Sequence, residues 1–344
     1  MNGVALAMLD DPLPARLARI AATVLAWLLL TPAPSQAAAP ASYAREREAF
    51  VHEMAARHGF ERAELRALMQ GARYRQAIVD AMDRPYEGKS WGAYRALFVT
   101  PERIAGGRRF RVEHAALLRQ AERTYGVPAE VIVAILGIET NYGATLGQYP
   151  VLDALTTLGF AYPRRAAFFR KELEAFLLLA REEAIDPSST RGSYAGALGL
   201  PQFIPSSYRA YAVDFDGDGR RDLWHSEADV IGSVGAYLAE HGWRRGEPIA
   251  SPATLHGPLE DGLEVGGKRP LVPRLSVAEL KAAGVEPDRA LAPNARAALI
   301  ELDAGEPEYW VVLENFYAIT RYNHSNLYAL AAYELSRAIA GLDR

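Results

Sequence analysis

The sequence predicts a mainly α-helical protein of the α+β class, and three observations carry that expectation. Apolar residues recur at mixed three- and four-residue spacings through most of the 344 residues, as helices with a buried face require. From Arg245 to about Glu308 this pattern gives way to short apolar runs separated by glycine and proline, the mark of a small β-containing insertion. Beyond it, from Asn315 to Gly341, the helical spacing returns.

Composition narrows the function. Half of the residues are hydrophobic, so the chain is globular, and its length suffices for a large core with two or three subdomains. The net charge is −4. No basic excess argues for nucleic acid or an anionic surface as partner. There is no cysteine, which excludes disulfides, a thiolate nucleophile, a thiolate metal site and a lipidated cysteine anchor.

Residues 1–39 are expected to be a signal peptide. Arg16 and Arg19 precede an apolar run from Ile20 to Leu30, followed by Pro32, Pro34 and the small residues Ser35, Ala37, Ala38 and Ala39. A run this short suits a signal-peptide core better than a membrane span, with cleavage near Ala37 or Ala39. An uncleaved anchor is the competing reading.

The first helices are expected over Tyr43–His58, Arg62–Gln70 and Tyr74–Met82, the last ending before Pro85. Thr100 is an N-cap with Pro101 at the first helical position. Helical spacing then runs from Phe110 to Thr124 and closes at Gly126. These segments make an α-domain, 40–115, leading into a core, 116–245.

Within the core, Pro128 to Gly143 (PAEVIVAILGIETNYG) holds the most informative residue. Pro128 fits a helix's first turn, and most of Val131, Ile132, Ile135, Leu136 and Ile138 fall on one buried stripe. Gly143 sits where the helix should stop. Glu139 interrupts this apolar run. Desolvation raises a carboxyl pKa, and the negative end of a helix pushes the same way. A carboxylic acid kept protonated near neutrality is what general-acid catalysis needs. A partly exposed helix-end glutamate in a salt bridge is the plainer alternative.

Helices follow over Val151–Leu158 and Arg164–Ala184, the second ended by Pro187. Arg164 and Arg165 oppose the macrodipole at its start, so ligand binding is weighed against an idle exposed pair. Residues 191–208 (RGSYAGALGLPQFIPSSY) are rich in small residues. Ser193, Gln202 and Tyr208 there offer a polar lining for a cleft.

Residues 214–222 (DFDGDGRRD) open like a calcium loop of EF-hand type. Asp214, Asp216 and Asp218 alternate, Gly219 permits the turn, Arg220 offers its carbonyl, and Asp222 falls at the ninth position. The twelfth position is His225, which has no oxygen to give. Asp229 either closes the shell or serves as the capping-box acid of Ser226, at the start of a helix through Glu240. A solvated acidic turn is the alternative to bound Ca2+.

In the insertion, 246–314, the runs Ala297–Leu302 and Tyr309–Leu313 are expected to pair as a hairpin. Ser276–Ala283 should be one short helix with its own capping box. C-terminal helices, 315–344, complete the core, with Ser325 or Asn326 capping Leu327–Ile339. Tyr322, Asn323 and His324 form a non-helical joint ahead of it.

Five blocks then match one family in order: GIETNYG around Glu139, YPRRAAFFRKELEAF from Tyr162, GSYAGALGLPQFIPSSY from Gly192, DFDGDGRRDLW from Asp214 and ITRYNHSNLYALA from Ile319. Over about 42–340 the chain resembles the lytic transglycosylase B family of bacterial periplasmic enzymes. The resemblance implies a lysozyme-like α-helical core with a deep glycan groove, an α-helical domain and a small inserted β-domain. It implies cleavage of the β-1,4 bond between N-acetylmuramic acid and N-acetylglucosamine in peptidoglycan glycan strands, leaving 1,6-anhydromuramoyl ends. Glu139 would be the catalytic acid and Ser193 its hydrogen-bonding partner. Arg164, Arg165, Gln202, Tyr322 and Asn323 would contact sugar. Asp214, Asp216, Asp218, the Arg220 carbonyl and Asp229 would hold a structural Ca2+, with no cofactor for catalysis. A periplasmic monomer without a lipid anchor is expected.

Glycosidases ordinarily use two carboxyls, yet one carboxylate lies in a cleft motif here. A single Glu suffices if the muramic C6 hydroxyl is the internal nucleophile, whose effective concentration reaches ~10⁵ M or more. Two readings stand beside this: a hydrolytic muramidase in which a second acid such as Asp153 activates water, and a non-catalytic peptidoglycan-binding protein.

Overall fold

The computed structural model describes residues 38–342, apart from 85–87 and 260–261. The expected signal peptide falls almost wholly outside them. No helix among the described residues is long and apolar enough to cross a membrane.

The chain opens with helices α1 (Tyr43–His58), α2 (Arg62–Gly71), α3 (Gln76–Met82), α4 (Trp91–Phe98), α5 (Pro101–Glu113) and α6 (Ala115–Tyr125). Next comes α7 (Ala129–Thr140), which carries Glu139. A two-residue strand β1 (Tyr149–Pro150) leads into α8 (Val151–Ala161) and α9 (Ala166–Glu182). Strand β2 (Arg191–Gly192) pairs back antiparallel on β1. Helices α10 (Pro205–Tyr211) and α11 (Glu227–Glu240) close this part.

A six-stranded sheet follows, made of β3 (Ala250–Leu255), β4 (Val265–Gly266), β5 (Leu275–Ser276), β6 (Val285–Pro287), β7 (Arg296–Asp303) and β8 (Pro307–Leu313). Its order is β4-β7-β8-β3-β6, with β5 also on β7. Helix α12 (Val277–Ala282) lies between β5 and β6, and α13 (Glu314–Thr320) and α14 (Asn326–Ala340) end the fold.

The sheet has a small core of its own, built from Val277, Leu280, Val285, Ala297, Leu299 and Val311. A larger one runs from Tyr43 to Ile339. The anticipated hairpin is present: β7 and β8 pair antiparallel from Ala297↔Leu313 to Asp303↔Pro307. The capping box of α12 is present too, with Ser276 and Glu279 each bonding the other's backbone.

Several departures have local causes. Helix α4, which the sequence did not single out, is capped by Ser90. The expected helix over 110–124 is cut at His114, whose φ of −104° and ψ of 25° leave helical geometry. Helix α10 begins inside the presumed loop because Pro205 sits at its first turn. Strand β3 contains Pro252, which hid it; a proline tolerates strand geometry only where its missing N–H is not needed.

Helix α7 also differs from expectation. Every residue from Val131 to Ile138 is buried, so the helix is apolar all round rather than along one stripe. It packs against α5, α6, α11 and α14. A central helix of this kind is where an acidic side chain is most expensive to bury.

Candidate active site

From Val131 to Thr140 on α7, Glu139 alone is half-buried. The helix ends just beyond it through Asn141 and Tyr142, both left-handed at φ 50° and 60°. Their N–H groups return to Gly137 O and Leu136 O, each at 3.2 Å, which satisfies the last carbonyls. The expected stop at Gly143 therefore comes two residues early. Thr140 Oγ1 donates to Leu200 O at 3.0 Å and accepts from Gly143 N–H at 3.1 Å, tying this turn to the 198–203 loop.

Tyr328, on the first turn of α14, donates its hydroxyl to Glu139 Oε1 at 2.6 Å. The Tyr328 ring is buried and stacks on Tyr322 at 6.2 Å and 8°. Burial, joined by the negative charge of Glu139, holds both phenols well above their ordinary pKa. Each therefore stays a neutral donor: Tyr328 to Glu139, and Tyr322 to Pro201 O at 2.7 Å.

Glu139 faces a cleft of about 710 Å³ lined by Phe168, Phe203, Tyr237 and Tyr322 among others. Phe203, Tyr237 and Tyr322 meet with ring centroids 4.8 to 5.7 Å apart. Such rings offer flat apolar faces to a sugar. Glu139 is the one carboxylic acid among the lining residues, whereas Arg165, Arg321, His241 and His324 line the same space. Burial, then the neighbouring charges of Arg321, His241 and Arg165, pushes the His324 pKa down. The cleft lining thus combines a solitary acid with two arginines.

The structure sorts the anticipated residues. Gln202 and Asn323 line the cleft, as do Tyr322 and Arg165. Gln202 is held at φ 52°, uncommon for a residue with a Cβ, and its amide donates to Gly199 O at 2.8 Å. Arg164 is not among the lining residues. It pairs with Asp83 and lies over Tyr162. The reason is that α9 starts at Ala166, not at Arg164, so the two arginines occupy a non-helical approach and diverge. Ser193 Oγ accepts the N–H of Ala195 at 3.2 Å and of Ala197 at 3.0 Å, which folds its loop.

Asp153 is buried in α8, accepting Arg73 N–H at 2.8 Å and Arg75 Nε at 2.7 Å. It is not a lining residue of the cleft. This removes it as the water-activating second acid.

In the acidic loop, carboxylate oxygens of Asp214, Asp216 and Asp229 lie within 4.8 Å of one another. Asp229 is buried and accepts Phe215 N–H at 2.7 Å and Asp222 N–H at 2.8 Å. It therefore faces the loop, while Ser226 Oγ still caps Asp229 N–H at 3.2 Å. Burial, together with the charges of Asp216 and Asp214, drives the Asp229 pKa up. Three mutually repelling hard-oxygen donors fit a divalent cation of the calcium kind. Asp218 lies outside this group and accepts Arg220 N–H at 2.8 Å. Asp222 instead accepts the N–H of Trp224 and His225.

A family profile described as the transglycosylase SLT domain matches residues 42–337. The chain belongs to the transglycosylase SLT family. It is 43% identical over 302 residues to the membrane-bound lytic murein transglycosylase B of Escherichia coli K12, covering 85% of this chain and 81% of that one. The crystal structure of the catenated lytic transglycosylase SltB1 of Pseudomonas aeruginosa matches with a TM-score of 0.79 and 48% identity, over 85% of this chain and 96% of that one. The Escherichia coli lytic transglycosylase Slt35, solved in complex with calcium, matches with a TM-score of 0.78 and 42% identity, over 86% and 92%. As a member of this family the chain is an enzyme with the lytic transglycosylase fold.

Sequence reasoning missed Tyr328, Tyr237 and Arg321. Tyr328 and Tyr237 sit at helical spacing among apolar residues, where an aromatic side chain reads as core. Arg321 carried a weak signal, standing directly before the non-helical joint.

Proposed function

We propose that this enzyme is a lytic transglycosylase of peptidoglycan, cutting the β-1,4 bond between N-acetylmuramic acid and N-acetylglucosamine. The observation that carries the reading is the solitary carboxyl of Glu139 in an aromatic cleft, oriented by Tyr328. Glu139 protonates the glycosidic oxygen as the C1–O bond breaks. The muramic C6 hydroxyl then attacks C1, and its proton returns to Glu139. The balance closes with no water consumed: one sugar leaves with a new 4-hydroxyl, and the other ends as a 1,6-anhydro ring. The Ser193 oxygen already accepts two N–H groups, which leaves its proton to be donated to Glu139 once substrate is bound. Arg165, Gln202, Tyr322 and Asn323 hold the glycan.

Asp214, Asp216 and Asp229 would hold a Ca2+ that relieves their mutual repulsion and pins the loop, a structural role. The murein enzymes among its relatives and the signal-like leader support a periplasmic site of action.

Mass analysis of digested peptidoglycan tests the reading. The expected products lack one water relative to reducing ends, and Glu139→Gln loses nearly all turnover while keeping fold and glycan binding. Reducing ends from the wild type, or a fully active variant, would overturn it.

A further inference from the structure

Tyr142 follows the acid by three residues, yet it points away from the cleft. Its ring is stacked on Phe110 of α5 at 5.8 Å and 29°, and its hydroxyl donates to Arg103 O at 2.8 Å. Room for this ring comes from three glycines on two helices. A Cβ built on Gly106 would lie 2.8 Å from Tyr142 Cε2, one on Gly107 would lie 2.6 Å from its Oη, and one on Gly137 would lie 2.5 Å from the same oxygen. Such approaches leave no space for any side chain. Glycine inside a helix is destabilising relative to alanine, so three at one contact on α5 and α7 mark a slot shaped for this ring.

Arg103 completes the joint. Its Nε donates to Gly137 O at 2.8 Å, and Nη1 donates to Leu97 O at 2.6 Å. Arg103 thus holds the carbonyl two residues before Glu139, while its own carbonyl holds Tyr142. The left-handed backbone of Tyr142 is strained for a residue with a Cβ. The slot and the hydroxyl bond offset that strain.

We propose that Tyr142 is a positioning residue: a wedge locked between α5 and α7 that fixes the height at which Glu139 enters the cleft. It lies outside the lining of the cleft, and its hydroxyl bonds Arg103 rather than Glu139. It acts by clamping the end of α7 on both sides of the acid, through Gly137 before it and the left-handed turn after it. The proposal rests on Glu139 being the acid. A displacement of about 1 Å at a catalytic group costs on the order of 10²-fold in rate, so a loosened clamp is read in turnover before it is read in binding.

Four variants test this on the full chain. Tyr142→Phe keeps the ring in its slot and deletes the bond to Arg103 O. Its kcat is expected to fall by about 10-fold or more, with KM and Tm close to wild type. Gly137→Ala drives a methyl into the phenol and should lose both Tm and kcat. Tyr142→Ala empties the slot, so Gly137→Ala added to it should raise Tm while kcat stays low. Recovery of kcat along with Tm in that double variant would make Tyr142 a space-filler and sink the proposal. Wild-type kcat in Tyr142→Phe would do the same, and a double variant with no gain in Tm would refute the slot. Glu139→Gln run in parallel separates the two ideas: an active Glu139→Gln overturns the assignment of the acid, whereas the Tm pattern of Gly137 and Tyr142 stands apart from it.

Discussion

Tyr328 and Glu139, 189 residues apart in sequence, meet through a 2.6 Å hydrogen bond between the first turn of α14 and the last turn of α7. A phenol donating to Glu139 from a buried position clamps the acid's rotamer, and the bond becomes charge-assisted as Glu139 gives up its proton. Tyr328→Phe keeps the ring and deletes the donor. Loss of a bond to a charged group is worth about 1.5–3 kcal/mol, so kcat is expected to drop roughly 10- to 100-fold. Steady-state kinetics on purified peptidoglycan check it, and glycan affinity should barely move.

Arg165 and Arg321 line the cleft, and neither forms an ion pair among the described residues. A muramic residue carries a lactyl carboxylate or a peptide with its own. Arg321→Gln is therefore expected to raise KM for native peptidoglycan several-fold and to flatten its dependence on salt, since screening acts on the lost attraction. Arg164→Gln, which loses a surface pair with Asp83 and a contact over Tyr162 away from the cleft lining, should leave the kinetics within about 2-fold.

Chelation is expected to lower Tm without abolishing the chemistry, because the acidic loop lies outside the lining of the cleft. Scanning calorimetry with calcium and with chelator measures it. Asp229→Asn should cut the calcium response and also destabilise the apo protein: one of the two N–H groups now bound, from Phe215 and Asp222, would face an amide NH₂. An unchanged Tm on chelation would remove calcium from the account.

Glu172 supplies a pH dependence. It is buried on α9 and accepts Ser206 N–H at 2.9 Å and Ser206 Oγ at 2.8 Å. Burial raises its pKa above the usual carboxylate value, against those two bonds. A raised folded-state pKa means that the folded protein binds the proton more tightly than the unfolded chain. The resulting stability is full below the unfolded value and is lost as pH rises through the folded one. Glu172→Gln mimics the protonated form, with an oxygen for Ser206 N–H and an amide N–H for Ser206 Oγ. Its Tm should exceed that of wild type at neutral pH, and the gap should close as pH falls toward the ordinary carboxylate range. A gap that widens on acidification would contradict this.

How legible was all this before the chain was folded? Glu139 could be read because a charge inside an apolar run violates a local pattern, and Ser226, Ser276 and Ser325 because N-caps are local chemistry. Asp214 and Asp216 were legible as alternation, but the choice for Asp229 between capping and loop closure depended on where its carboxylate turned. The tyrosines were opaque for a different reason. Tyr328 obeys the pattern of a core helix, and only tertiary packing brings its hydroxyl to the acid. Arg164 and Arg165 are adjacent and chemically identical, so their roles separate only once the first residue of α9 is known. Strand β3 was masked by its own proline.

Because the acid lies at residue 139 and the phenol that orients it at residue 328, a polypeptide released or cleaved before α14 carries the blade without its handle. A chain clipped there is expected to show no turnover, because α14 both packs on α7 and supplies that hydroxyl.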